Sequence, residues 1–278
     1  METCKIDLGD GFQKGGEMRN NTRRNRNIGT AKQGYGQNNR MKIPDPWYKN
    51  DMRNNLERLD NYRKEMYTIN GHEFLFIIEE TLEDYKHACS VQDVVYLLQF
   101  IQKDDYGDLR YIVFRQPTRK ETGLEPVWGR LAYSFEFENN YYPAIILEAY
   151  PIKGKLTWPR NLKVNEKREF LRLQDDGFRF EENKRGYEAV MTEDSVRNVQ
   201  LYRTLFHELG HYVHYQDVVS RPALKDEEYE EWEKRLEYYH NSIPSSEKEA
   251  FAHNYADRLK EKLILQGIIP FDRKEEKL

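Results

Sequence analysis

His207-Glu208-Leu209-Gly210-His211 is the stretch on which the reading of this chain turns. On a helix, residues four apart lie one turn above the other, so both imidazoles can reach one ion from a single face. Glu208 then projects beside them toward the water that such an ion would carry. The surrounding residues read as helix: Val196, Val199, Leu205, Phe206, Leu209 and Val213 form an apolar surface, and Thr192 or Asp194 offers an N-cap. A helix over roughly Ser195 to Gln216 is therefore predicted. Histidine is scarce elsewhere, since five of the seven (His207, His211, His214, His240, His253) follow residue 206.

A catalytic zinc takes three protein ligands and leaves a fourth position for water, so a third ligand must come from another element. Glu249 is the best candidate. It opens Glu249-Ala250-Phe251-Ala252-His253-Asn254-Tyr255-Ala256, where Ala252 and Ala256 share its helical face. Small side chains there let this helix approach the first one closely, against Gly210, and bring a short carboxylate to the metal. Ser246-Glu247-Lys248-Glu249 also fits a capping box, in which the glutamate bonds the cap residue's own amide. The ligand role explains the alanine stripe as well as the acid. Asp217 stands ten residues after His207, the spacing of a metzincin third ligand, but the glycine that pattern needs for its sharp turn is His214 here. His214, seven residues after His207, is either a donor behind the ligands or an ordinary, partly exposed histidine. A peptide deformylase site needs a cysteine ligand in a motif absent around Cys4 and Cys89. Tyr238, Tyr239 and His240 precede Glu249 and could stabilise an oxyanion; Tyr229, Trp232, Leu236 and Tyr239 also form a packing stripe.

His207-Glu208-x-x-His211 followed some tens of residues later by Glu249-x-Phe251-Ala252 resembles the glutamate-ligand zincin metallopeptidases. Within that class it resembles especially the lethal-factor-like toxins and the phage-immunity and radiation-response regulator proteases. The resemblance covers roughly Ser195 to Lys260. It implies an α+β zincin fold, with a twisted mixed sheet, an active-site helix beneath it and a C-terminal helix carrying the third ligand. It also implies His207, His211 and Glu249 as zinc ligands and Glu208 as catalytic base. Many such enzymes place an acid four residues after the ligand glutamate, where this chain has His253; Asp257 is the nearest substitute.

Outward from the motif, the chain has 278 residues, 44 Lys+Arg and 48 Asp+Glu, for a net charge of -4. That balance gives no general reason to expect nucleic acid as the main partner. Residues 13–42 are the exception: eight basic side chains stand against Glu17 alone, in an Asn-, Gln- and Gly-rich context that cannot build a core. Residues 1–43 are therefore expected to form a disordered basic tail, and residues 44–278 one folded domain. Any nucleic-acid contact would come through that tail. No apolar run approaches the roughly 18 to 20 residues of a membrane span, and Met1 to Lys14 lacks a signal-like apolar segment. A cytoplasmic chain without membrane contact is expected. Two cysteines exclude a disulfide scaffold and a four-cysteine zinc finger, and both are expected as free thiols.

Strands are predicted at Phe74 to Ile78, Leu109 to Phe114, Trp128 to Phe137 and Tyr142 to Tyr150. Leu131, Tyr133, Phe135 and Phe137 alternate along one face of the third, and Pro143 suggests that the fourth is an edge. Ser90 caps a helix bearing Val94, Leu97, Leu98 and Ile101. Pro151 to Thr192 has no clear pattern; helices follow at Asp226 to Tyr239 and Ser246 to Leu265. The acids around Glu230 read as a solvated face.

The expected function is a zinc metallopeptidase acting on a protein or peptide substrate. The alternative is a non-catalytic zincin-fold regulator that binds a protein or nucleic acid. Deleting residues 1–43 should leave the thermal midpoint and metal content nearly unchanged, and a large destabilisation would show that the tail belongs to the domain.

Overall fold

Asn70 and Gly71, both at positive φ (52° and 73°), make the tight turn that starts the sheet. Such a turn matches the right-handed twist of a two-residue hairpin. It joins β1 (Tyr62–Ile69) to β2 (His72–Glu79), paired antiparallel from Tyr62↔Glu79 to Ile69↔His72. The computed structural model describes residues 56–122, 127–223 and 228–274. The basic tail, Cys4, Asp226 and Glu227 lie outside the described residues. Cys89 is a buried free thiol.

After β2 come a short strand β3 (Tyr85–Lys86) and α1 (Val91–Leu98). Ser90 Oγ accepts the Asp93 amide at 3.0 Å and Asp93 Oδ2 accepts the Ser90 amide at 3.1 Å, closing a capping box. β4 (Tyr111–Arg115), β5 (Gly129–Phe137) and β6 (Asn140–Glu148) complete a five-stranded sheet of order β1-β2-β4-β6-β5. β2, β4 and β6 run parallel, whereas β1 and β5 are antiparallel to their neighbours. The fold is thus α+β with a mixed sheet.

β6 is not the edge that Pro143 suggested; it lies between β4 and β5. The proline is tolerated because it stands opposite a β-bulge. Ala132 pairs with Ala144 and Phe135 with Tyr142, so Tyr133 and Ser134 share the single partner position of Pro143. The bulge also overturns the expected alternation of β5. Leu131 and Tyr133 face the helical side, while Phe135 and Phe137 pack on the opposite side with Ile77, Val113 and Ile146.

The segment without a readable pattern holds β7 (Tyr150–Pro151), β8 (Lys155–Pro159), α2 (Val164–Asp175), β9 (Glu181–Asn183) and β10 (Gly186–Val190). β7 pairs with β3, and β8, β10 and β9 form a small antiparallel sheet. Thr192 caps α3 (Glu193–Val199), which passes through a π-helical turn at Gln200–Thr204 into α4 (Leu205–Tyr215) and a second such turn at Gln216–Ser220. Gln200 pins this junction to the sheet, its side-chain amide donating to Trp128 O (3.0 Å) and Glu148 O (2.7 Å). α5 (Tyr229–Glu237) and α6 (Ser245–Leu265) follow.

α4 lies against the sheet through Leu205, Phe206, Leu209 and Val213, which join Phe74, Phe76, Ile112, Phe114 and Ile145 in the main core. Burial of each such side chain contributes about 1.5–3 kcal/mol. On its other side α4 meets α6 so closely that a Cβ on Gly210 would lie 2.9 Å from Ala252 Cα and from Ala252 O. Gly210→Val should therefore cost about 2 kcal/mol or more of stability, because backbone stands where the side chain must go. Urea denaturation measures this; an unchanged midpoint would show that α6 can retreat.

Candidate metal centre

α4 carries His207 and His211 on one face, with their Nε2 atoms 3.1 Å apart. The contact at Gly210 brings α6 alongside, and Glu249, on the first full turns of α6, reaches back to both rings. Glu249 Oε2 is 3.3 Å from His207 Nε2 and Oε1 is 3.3 Å from His211 Nε2. Among the described residues, these three form a group whose ligand atoms all lie within 4.8 Å of one another. α6 begins at Ser245, with Pro244 in the cap position, so the competing capping box of Ser246 and Glu249 does not form.

The donor triangle can be compared with what zinc requires. Bonds of about 2.0–2.1 Å in a tetrahedron put donor atoms about 3.3 Å apart. The observed edges of 3.1 to 3.3 Å match that spacing. Electrostatics point the same way. Burial lowers the His211 pKa, favouring the neutral ring, despite the opposing pull of Glu249. Burial alone would raise the Glu249 carboxyl, but hydrogen bonds with His207 and His211 outweigh it and hold the group well below the usual carboxylate range. A protonated His211 would make an ion pair, which its burial resists, so ionised Glu249 stands beside a neutral His211 ring. A divalent cation in the triangle would take the place of the protons that those hydrogen bonds need and bind all three donor atoms at once. Two imidazoles and a carboxylate are a donor set suited to zinc.

Glu208 is fully buried beside this triangle, and neither carboxylate oxygen has a hydrogen-bond partner. The Leu131 amide of β5 faces it, short of ordinary hydrogen-bond geometry, and burial pushes its pKa up to about 7. A carboxylate so placed suits proton transfer near neutrality.

His207 Nδ1 is also buried without a partner. Its ring packs on His253 at 4.5 Å between centroids, and Asp257 is exposed and bonded to neither ligand histidine. Packing rather than a carboxylate therefore orients His207. His214 is buried, not partly exposed: it stacks on Phe251 (4.5 Å, 14°) and meets Tyr239 edge-on. Asp217 pairs with Arg221 and is not part of the donor triangle. The chain stays helical past His214, through Tyr215 and into the π-helical turn, so ten residues carry Asp217 roughly 15 Å along the axis from His207.

Tyr238 and His240 are exposed, and Tyr239 is buried in a cluster with Val219, Trp232 and Leu236, while Tyr229 is exposed. The Tyr239 hydroxyl lies 2.9 Å from that of Tyr133 and donates to His211 O at 3.4 Å. The sequence reading placed Tyr133 on one face of its strand and gave it no part in the site. It lies at the bulge on the helical side, with Leu131, where burial, Tyr239 and then Glu208 all raise its pKa. Pro143 in the partner strand is the one sequence signal of that bulge.

No family model, curated protein or solved structure matches the chain. The chain should bind one zinc, and Glu249→Ala should weaken zinc binding by at least about a hundredfold while Asp217→Ala leaves it intact. Metal analysis after gel filtration distinguishes the two; loss in the Asp217 variant alone would overturn the ligand set.

Proposed function

We propose that this protein is a zinc-dependent peptidase with a zincin-like fold, in which His207, His211 and Glu249 hold the metal and Glu208 is the general base. The observation that carries the proposal is the buried, unbonded Glu208 carboxylate directly beside a donor triangle of zinc dimensions. Bound zinc would supply Lewis acidity to water and to a substrate carbonyl. Glu208 takes a proton from the attacking water onto a carboxylate oxygen as the new C–O bond forms. It then gives that proton to the amine nitrogen as the C–N bond breaks, so one water is consumed for each peptide bond.

The edge that would receive substrate is β5 rather than β6. An extended peptide could pair along its free side near Leu131, whose amide already faces Glu208. The antiparallel edge strand beside α4 and the carboxylate arriving from α6 support the zincin reading. A purely structural metal site or binding module gains nothing from burying an ionisable group without hydrogen bonds, which disfavours the non-catalytic alternative. Among the described residues, no helix is long and apolar enough to cross a membrane.

Glu208→Gln keeps the shape and removes the base. Zinc content and folding should persist while chelator-sensitive peptide cleavage falls by about 10² to 10⁴. Undiminished cleavage in a folded, zinc-loaded variant would refute the mechanism.

A further inference from the structure

The free edge strand β5 runs beside the helix that carries the donor triangle. At its start, a Cβ on Gly129 would lie 2.8 Å from Thr204 Cγ2, three residues before His207. Further along, the Tyr133 hydroxyl lies 2.9 Å from that of Tyr239, which donates to His211 O at 3.4 Å. Gly129 to Tyr133 therefore follows the turns of α4 on which both histidines stand. Within this stretch Leu131 packs among the helices, whereas Arg130 pairs with Ile146, which packs on the opposite face of the sheet.

On either side of Gly129, Trp128 and Arg130 line one cleft, walled further by Tyr150, Pro151 and Met191. It has about 440 Å³ of empty space, part of it open to solvent. Trp128 is fixed against Phe178, with 5.9 Å between ring centroids. The cleft lies at the carboxyl ends of the parallel strands β4 and β6, the end of such strands at which ligands are commonly bound. Its charged members, Arg130, Glu121 and Glu148, are already paired. Arg130 Nε is 3.2 Å from Glu148 Oε1, while Arg115 reaches Glu148 at 3.0 and 3.1 Å and Glu121 at 3.1 and 3.0 Å. Two cations stand against two carboxylates, so a charged occupant would give up water without meeting a net opposite charge. An uncharged, apolar occupant carries no such cost.

We propose that this cleft is a specificity pocket for a bulky apolar substrate side chain, such as Phe, Leu or Met, within three residues of the scissile bond. This rests on the peptidase reading above, with substrate laid along β5. In an added strand, the residue opposite Leu131 projects toward α4, and the residue opposite Arg130 projects on Arg130's own face, beside the cleft. Trp128 lies three residues before Leu131, about 10 Å along the strand direction, which sets the reach.

The test uses the full-length, zinc-loaded protein as wild type, Trp128→Ala and Arg130→Met. Each is given a proteome-derived peptide mixture and its cleavage sites are read by mass spectrometry, with zinc content and thermal midpoint confirming that the variants are folded. Wild type should favour bulky apolar residues over charged ones at one fixed position within three residues of the cut. Trp128→Ala should lose about tenfold of that preference, at that position alone. Arg130→Met leaves two carboxylates facing Arg115, and should turn the preference at that position toward Lys and Arg. A wild-type preference for a charged residue there, no preference in that window, or the wild-type preference retained in either folded variant overturns the pocket while leaving the peptidase reading intact. Absence of any chelator-sensitive cleavage by zinc-loaded wild type removes the peptidase reading and this inference with it.

Discussion

Backbone-close packing of α4 on α6 at Gly210 is the constraint from which the site follows. A glutamate side chain is short, and Glu249 reaches both imidazoles because nothing larger than a hydrogen separates Gly210 from Ala252. Ala252 and Ala256, both buried on the facing side of α6, keep that approach close along the helix. The other side of α4 is fixed by the sheet through Phe206 and Leu209, so the helix is held between two surfaces that leave it little freedom. Preorganisation of this kind would reduce the ordering cost of binding an ion.

The same packing sets the electrostatics. Glu208, one residue from His207, points to the sheet side of α4 and loses its water entirely. That burial would only destabilise a structural protein, because an unpaired carboxyl has no compensating hydrogen bond. In a site that moves protons it brings the group into the useful range. The buried Arg197, tied to Asp93 by bonds of 2.8 and 2.9 Å, joins α3 to α1 and steadies the helix leading into this region.

Much of the site was legible in the sequence because its logic is periodic. The His207–His211 spacing, the Ala252–Ala256 stripe and the Thr192 cap are local patterns whose meaning does not depend on distant partners. The sheet was less legible for physical reasons. β1 is an edge strand whose residues are mostly exposed, so it has no buried face to mark it and was not predicted. Pro143 was misread because its tolerance comes from a bulge in the neighbouring strand, a pairing that no single strand reveals. Phe135 and Phe137 were misplaced with it, since a bulge reverses the face of every residue beyond it. β8, β9 and β10 have only five, three and five residues, too few for alternation to be recognised.

The most direct test of the metal centre is diffraction from crystals of the zinc-loaded chain, collected at the zinc absorption edge. The geometry predicts one anomalous peak about 2.0–2.2 Å from Nε2 of His207, Nε2 of His211 and a Glu249 carboxylate oxygen, with Glu208 near it but not bonded. A peak at another group of side chains, or Glu249 turned away from a zinc held by the two histidines alone, would contradict it.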